Sequence, residues 1–162
     1  MGIPEIHTVE DCIFCSKKVK GKSFCSTSKF SAIYNLSPVL PGHSLIIPNT
    51  HYTSLAELKE EDLAEMTIFA RKITSVLKTA FQCDGFDWTI QDGISAGQTV
   101  PHLHLHVIPR KPFDLNEAEE WYSKISNNEK QFLDSQSREK LNDQEYDEIT
   151  SFLNEACKKI EF

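Results

Sequence analysis

The chain has 162 residues, 40% hydrophobic and 25% charged, which is the balance of a soluble globular protein and the length of one domain. Its 24 acidic against 17 basic side chains give a formal charge of -7, which excludes a broad, sequence-independent grip on a nucleic-acid backbone. An anionic small molecule remains compatible, because a few convergent donors suffice to hold one. Lys and Glu interrupt every hydrophobic stretch, so no segment reads as a membrane span and no membrane partner is expected. The start, MGIPEIHTVEDC, has neither the basic nor the apolar region of a secretory signal, and the expected compartment is the cytoplasm, with the nucleus as an extension. Five cysteines, an odd number, argue for thiols that stay reduced or hold a metal rather than for a disulfide scaffold.

Cys12 and Cys15 come first, as CIFC. A redox C-x-x-C belongs in a βα context that is missing here, so zinc is the favoured reading and two incidental buried thiols the plain alternative. Zinc wants four ligands, and the nearest further candidates are His51 and one histidine of the row described below. Cys25, Cys83 and Cys157 read as packing or surface thiols without an assigned partner.

Residues 30–36 (FSAIYNL) and 44–48 (SLIIP) read as strands, joined by SPVLPGH with its Pro and Gly turn signals. From residue 60 to about 81, Leu63, Met66, Phe69, Ile73, Val76, Leu77 and Ala80 recur at helical spacing, and Glu60, Glu61 and Asp62 favour the N-terminus of that helix. Residues 86–91 (FDWTIQ) alternate as a strand, DGISAG turns, and residues 99–108 (TVPHLHLHVI) form a second strand closed by Pro109. Residues 114–134 are polar and broken up, with Trp121 and Tyr122 as the large rings, and read as a mobile loop spanning about 112–136. Tyr146, Ile149, Phe152, Leu153 and Ala156 then mark an amphipathic helix at about 137–160. The expected class is α+β with a mainly antiparallel sheet, one domain over 1–162 with its core at about 10–111.

Three of the six histidines, His102, His104 and His106, alternate with Leu103, Leu105 and Val107. Successive side chains of a strand point to opposite faces, so the imidazoles form a row on one side while the aliphatic residues face a core. A single histidine could be core packing, but three on one face desolvate too many ring nitrogens for that. Such a row suits either a transition-metal site or a phosphorus chemistry with one imidazole as nucleophile. Its surroundings favour the second. Gly97, Gln98 and Thr99 just before the row supply flexible backbone and neutral donors rather than carboxylates, and Arg110 and Lys111 after it add positive potential.

The stretch QDGISAGQTVPHLHLHVIPRK, residues 91–111, resembles the signature of the histidine-triad superfamily, and its QDG…AGQ form resembles the fragile-histidine-triad branch of dinucleoside polyphosphate hydrolases. The likeness extends back through AIYNLSPVLPGHSLIIP and the long helix. It implies an α+β fold with a five-stranded antiparallel sheet, a homodimer, and hydrolysis of substrates such as diadenosine triphosphate to AMP and ADP. It places the nucleophile on His104 and a phosphate contact on His106, with His102 as the remaining member of the catalytic row. By the same likeness Gln98 binds phosphate oxygens, with Thr99 beside it; Asn35 contacts the nucleotide, Gln91 makes a phosphate-side or ribose-side contact, and His43 supports the site. On their own residues, Asn35 reads equally as a turn cap and His43 as a partner for buried backbone.

Members that carry the cysteine knuckle bind zinc through two cysteines, a histidine after the second strand and the first triad histidine, which implies Cys12, Cys15, His51 and His102 here. Bound zinc makes His102 structural rather than a proton donor, and the knuckle departs from the fragile-histidine-triad pattern. A divalent cation accompanying the substrate is a further expectation. Two rival functions share these residues: a nucleoside phosphoramidate hydrolase, and a nucleotide-binding signalling module.

Overall fold

Five antiparallel strands form one sheet in the order β1-β2-β3-β5-β4. They are β1 (Ser23–Ser26), β2 (Phe30–Tyr34), β3 (Ser44–Pro48), β4 (Gly85–Ile90) and β5 (Leu105–Arg110). The computed structural model describes residues 12–114 and 139–160. The predicted mobile loop with Trp121 and Tyr122 lies, after Asp114, outside the described residues.

The period-two alternation of the central strands feeds two apolar layers. On one face Phe24, Ala32, Ile46, Leu105 and Val107 pack under α2 (Glu60–Phe81) and α3 (Asp143–Lys158), which contribute Met66, Phe69, Ile73, Leu77, Tyr146 and Leu153. Ile73 and Leu153 are fully enclosed, and each such burial stabilises the fold by about 2 kcal/mol. On the other face Ile33, Leu45 and Ile47 pack against Cys12 and Phe14 of the N-terminal segment, with Val19 of the short helix α1 (Lys17–Lys20) beside them. Every residue of β2 and β3 is therefore buried. No helix among the described residues is long and apolar enough to cross a membrane.

The long helix has the predicted bounds, with Glu60, Glu61 and Asp62 in its first turn and Gln82 in the left-handed region at its end. The other boundaries move. The strand predicted at 99–108 begins only at Leu105, because the Leu103 N–H leaves the sheet to donate to the Tyr52 carbonyl at 2.6 Å. Pro109, expected to close this strand, lies inside it opposite Phe86. The strand predicted at 30–36 stops at Tyr34, and the strand at 86–91 is shifted to 85–90. The last helix starts at Asp143 rather than near 137, where Asn142 and Glu145 close a reciprocal capping box. Neither α1 nor β1 was anticipated from local pattern. Cys25 and Cys157, read from the sequence as packing or surface thiols with no assigned partner, are joined as a disulfide across 132 residues, since β1 and α3 meet in the fold.

Candidate active site

His106 sits on β5, opposite Leu45 of β3 and Thr89 of β4. His104 and His102 lead into that strand from an irregular segment in which the His102 N–H donates to the Val100 carbonyl at 2.7 Å. All three imidazoles are buried, as the expected row requires, while Leu105 and Val107 enter the main core. The spacing is thus realised by the strand for one histidine and by a bent lead-in for the other two.

The hydrogen bonds assign the ring protons. His104 Nδ1 lies 2.7 Å from the His102 carbonyl oxygen, so Nδ1–H donates there and Nε2 carries the lone pair. Burial pushes the His104 pKa below its usual value, which favours the neutral, nucleophilic form. A second relay begins at the Val39 N–H, which donates to His43 Nδ1 at 3.1 Å. The His43 proton is then on Nε2, from which it donates to His106 Nδ1 at 2.9 Å. His106 in turn holds its proton on Nε2 and is a hydrogen-bond donor there. Asn35 Oδ1 accepts from the Ser37 N–H at 2.9 Å, which turns its amide nitrogen toward the His43 ring.

His104 and His106 line a pocket of about 310 Å³ whose walls include Phe14, Ile33, Asn35, Leu45, Gln91 and Thr99. Asn35, Gln91 and Thr99 thus come together with the histidines. Gln98 does not line it: its Oε1 accepts from the Gly93 N–H at 2.8 Å and its Nε2 donates to the Thr53 carbonyl at 3.0 Å. His43 lies behind His106 rather than at the pocket wall. Gly97 has φ +93°, and a Cβ there would come within 2.6 Å of Gln91 Nε2, so the glycine leaves room for that amide. The expected positive potential from Arg110 is directed elsewhere, since its guanidinium is paired with Asp87 at 2.7 Å and Asp114 at 2.9 Å. Tyr146, Lys140 and Asp143 close another side of the pocket from the C-terminal region. Sequence reasoning missed these three, and also Phe14, whose position inside C-x-x-C was the available signal.

The ligand atoms of Cys12, Cys15, His51 and His102 all lie within 4.8 Å of one another, so the cluster can hold a metal ion. Cys12 Sγ is 3.4 Å from His102 Nδ1, and Cys15 Sγ is 3.3 Å from His51 Nδ1. His102 Nε2–H donates to the Pro48 carbonyl at 3.0 Å, which leaves the Nδ1 lone pair facing the sulfurs. Burial is the main cause holding the His102 pKa down at about 4. Burial, with the adjacent Cys12 next, raises the Cys15 thiol, so a thiolate there calls for a cation. His102 therefore belongs to the cysteine–histidine cluster through its ring and orients the His104 imidazole through its carbonyl.

A five-stranded antiparallel sheet with alternate buried histidines beside a pocket defines a histidine-triad fold. Residues 16–113 match the family model described as HIT domain, and the chain belongs to that family. It is 39% identical over 116 residues to the asymmetrical bis(5'-nucleosyl)-tetraphosphatase of Schizosaccharomyces pombe, covering 72% of this chain and 64% of that protein. It is 41% identical over 102 residues to the bis(5'-adenosyl)-triphosphatase of Dictyostelium discoideum, covering 63% of this chain and 68% of that one. The chain thus spans about two thirds of the length of these relatives. Among solved structures it resembles a Zn-bound histidine triad family protein of Mycobacterium smegmatis, with TM-score 0.69, 26% identity, and 94% and 96% of the two chains covered.

Proposed function

We propose that this protein hydrolyses dinucleoside polyphosphates through a nucleotidyl intermediate on His104. The observation that carries the reading is the fixed tautomer of His104: Nδ1–H is held at 2.7 Å by the His102 carbonyl, and the ring lines a pocket large enough for a nucleoside. Nε2 attacks the nucleotide phosphorus, the P–N bond forms, and the bond to the bridging oxygen breaks with its electron pair leaving on the other nucleotide, ADP where the substrate is diadenosine triphosphate. The resulting imidazolium keeps Nδ1–H on the carbonyl. His106 Nε2–H offers a hydrogen bond to the developing negative oxygens, with its orientation set by His43. Water then attacks the same phosphorus, the P–N bond breaks, and nucleoside monophosphate leaves with His104 neutral again. A polyphosphate is already a good leaving group, so alignment and electrostatics supply most of the catalysis.

The metal of this reading is zinc. Zinc–sulfur and zinc–nitrogen distances of about 2.3 and 2.0 Å give tetrahedral sulfur–nitrogen edges of about 3.5 Å. The observed pairs at 3.3 to 3.5 Å fit that geometry. Zinc there supplies a cross-link between the N-terminal segment, the turn after β3 and the lead-in to β5. The same reading makes the protein a homodimer: β4 is an edge strand and Trp88 on it is half exposed. Sedimentation at micromolar concentration checks the dimer.

Comparing turnover of diadenosine triphosphate, diadenosine tetraphosphate and an adenosine phosphoramidate tests the activity. Cleavage of the dinucleotides with release of AMP is expected. Preference for the phosphoramidate, or tight binding with negligible turnover, would overturn it in favour of one or the other rival function.

A further inference from the structure

Phe14 touches both halves of the site. It lies in the turn Ile13–Cys15, between two residues of the metal-binding cluster, and the Cys15 N–H closes that turn on the Cys12 carbonyl at 3.1 Å. Its ring is buried against Ile33, Leu45 and Ile47 and forms part of the pocket wall. From there it meets the His102 imidazole edge-on, with centroids 5.7 Å apart and planes at 89°. It meets the His104 imidazole at 5.4 Å and 65°. Among the described residues the His104 ring also has its Nδ1–H bond to the His102 carbonyl and the His106 ring at 4.9 Å. The His104 ring turns about χ2, a soft torsion that the single hydrogen bond at Nδ1 biases and whose remaining width its packing neighbours set. The Phe14 ring is one of the two aromatic neighbours that narrow this torsion.

We propose that Phe14 is a positioning residue that ties metal binding by Cys12 and Cys15 to the orientation of His104. The proposal rests on the reading of His104 as nucleophile and of the cysteine–histidine cluster as a metal site. A metal that fixes Cys12 and Cys15 fixes the backbone turn between them, and with it the Phe14 ring. Loss of the metal frees that turn and, through it, one wall of the His104 ring. The N-terminal knuckle then acts on catalysis through packing, in addition to the carbonyl of His102. Edge-to-face aromatic contacts of this kind are directional, so a branched aliphatic side chain of similar volume does not replace them.

The test uses the full chain with its native metal, labelled at the imidazole nitrogens, alongside Phe14→Leu, Phe14→Tyr and chelator-treated parent. In the parent, nitrogen shifts of His104 should report a single tautomer protonated at Nδ1. Phe14→Leu should keep its metal, broaden or split the His104 signals, and lower kcat roughly tenfold with KM nearly unchanged. Phe14→Tyr, which keeps the ring, should restore both signals and kcat, and chelator-treated parent should show the same disturbance as Phe14→Leu. Unchanged His104 signals and kcat in Phe14→Leu overturn the proposal. So does a rise in KM alone, which makes Phe14 a wall for the nucleotide base, and so does a Phe14→Leu protein that has lost its metal and matches the chelated parent. Failure of the underlying reading shows separately: near-parental turnover in His104→Asn rejects the nucleophile, whereas the nitrogen spectra read the coupling regardless.

Discussion

His104 Nδ1 lies 2.7 Å from the main-chain carbonyl of His102, a residue whose own ring faces Cys12 at 3.4 Å. The group that orients the His104 ring is thus carried by a member of the cysteine–histidine cluster that can hold a metal. Stripping the metal should therefore lower both stability and turnover. About one zinc per chain is expected in protein purified without added metal, and chelation should lower the melting temperature by several degrees. Cys12→Ser should show the same loss without chelator. Metal analysis and calorimetry check this, and a chelated protein with unchanged melting temperature and turnover would contradict it.

The relay from Val39 through His43 to His106 sets a different expectation. His43→Leu removes the acceptor of the Val39 N–H and the donor to His106 Nδ1. Both losses occur at a fully buried position, so stability should fall by about 1–3 kcal/mol. The freed tautomer of His106 should lower kcat by about 10–100-fold while metal content stays constant. Turnover at the parent rate would show that the His43–His106 bond does not matter to the reaction.

Gly97→Ala is predicted to act on substrate binding. At φ +93° the substitution strains the backbone by about 1–2 kcal/mol, and the new Cβ would fall within 2.6 Å of the Gln91 amide nitrogen. Gln91, a pocket residue, must move aside. The expected outcome is a higher KM with a smaller change in kcat, read from steady-state kinetics; an unchanged KM would separate Gln91 from the substrate.

Tyr146 links the last helix to the sheet. Its hydroxyl donates to the Tyr34 carbonyl at 2.8 Å inside the core. Tyr146→Phe leaves that carbonyl without this donor and should cost about 1 kcal/mol in denaturant unfolding, with the slope unchanged. No measurable shift in midpoint would mean that water replaces the bond.

What could be read in advance followed from local periodicity. The apolar spacing from Leu63 to Ala80 defined α2 because a 22-residue amphipathic helix repeats one signal many times. The alternate histidines were legible for the same reason, as was the C-x-x-C beginning of the metal-binding cluster. Four-residue elements such as α1 and β1 carry too few repeats to be seen. Long-range pairings were also hidden: His43 meets His106 across 63 positions, and Tyr146 meets Tyr34 across 112. The hydrogen bonds of the Gln98 side chain to the backbone of Gly93 and Thr53 were likewise not visible in the sequence.

The central claim is that His104 Nε2 forms a bond to phosphorus. Each in-line displacement inverts phosphorus, so two displacements through a histidine intermediate retain configuration, whereas one attack by water inverts it. Hydrolysis of a dinucleotide bearing a chiral phosphorothioate at the attacked phosphorus, run in isotopically labelled water and read by phosphorus NMR of the released nucleotide, should give retention. Inversion would contradict the account.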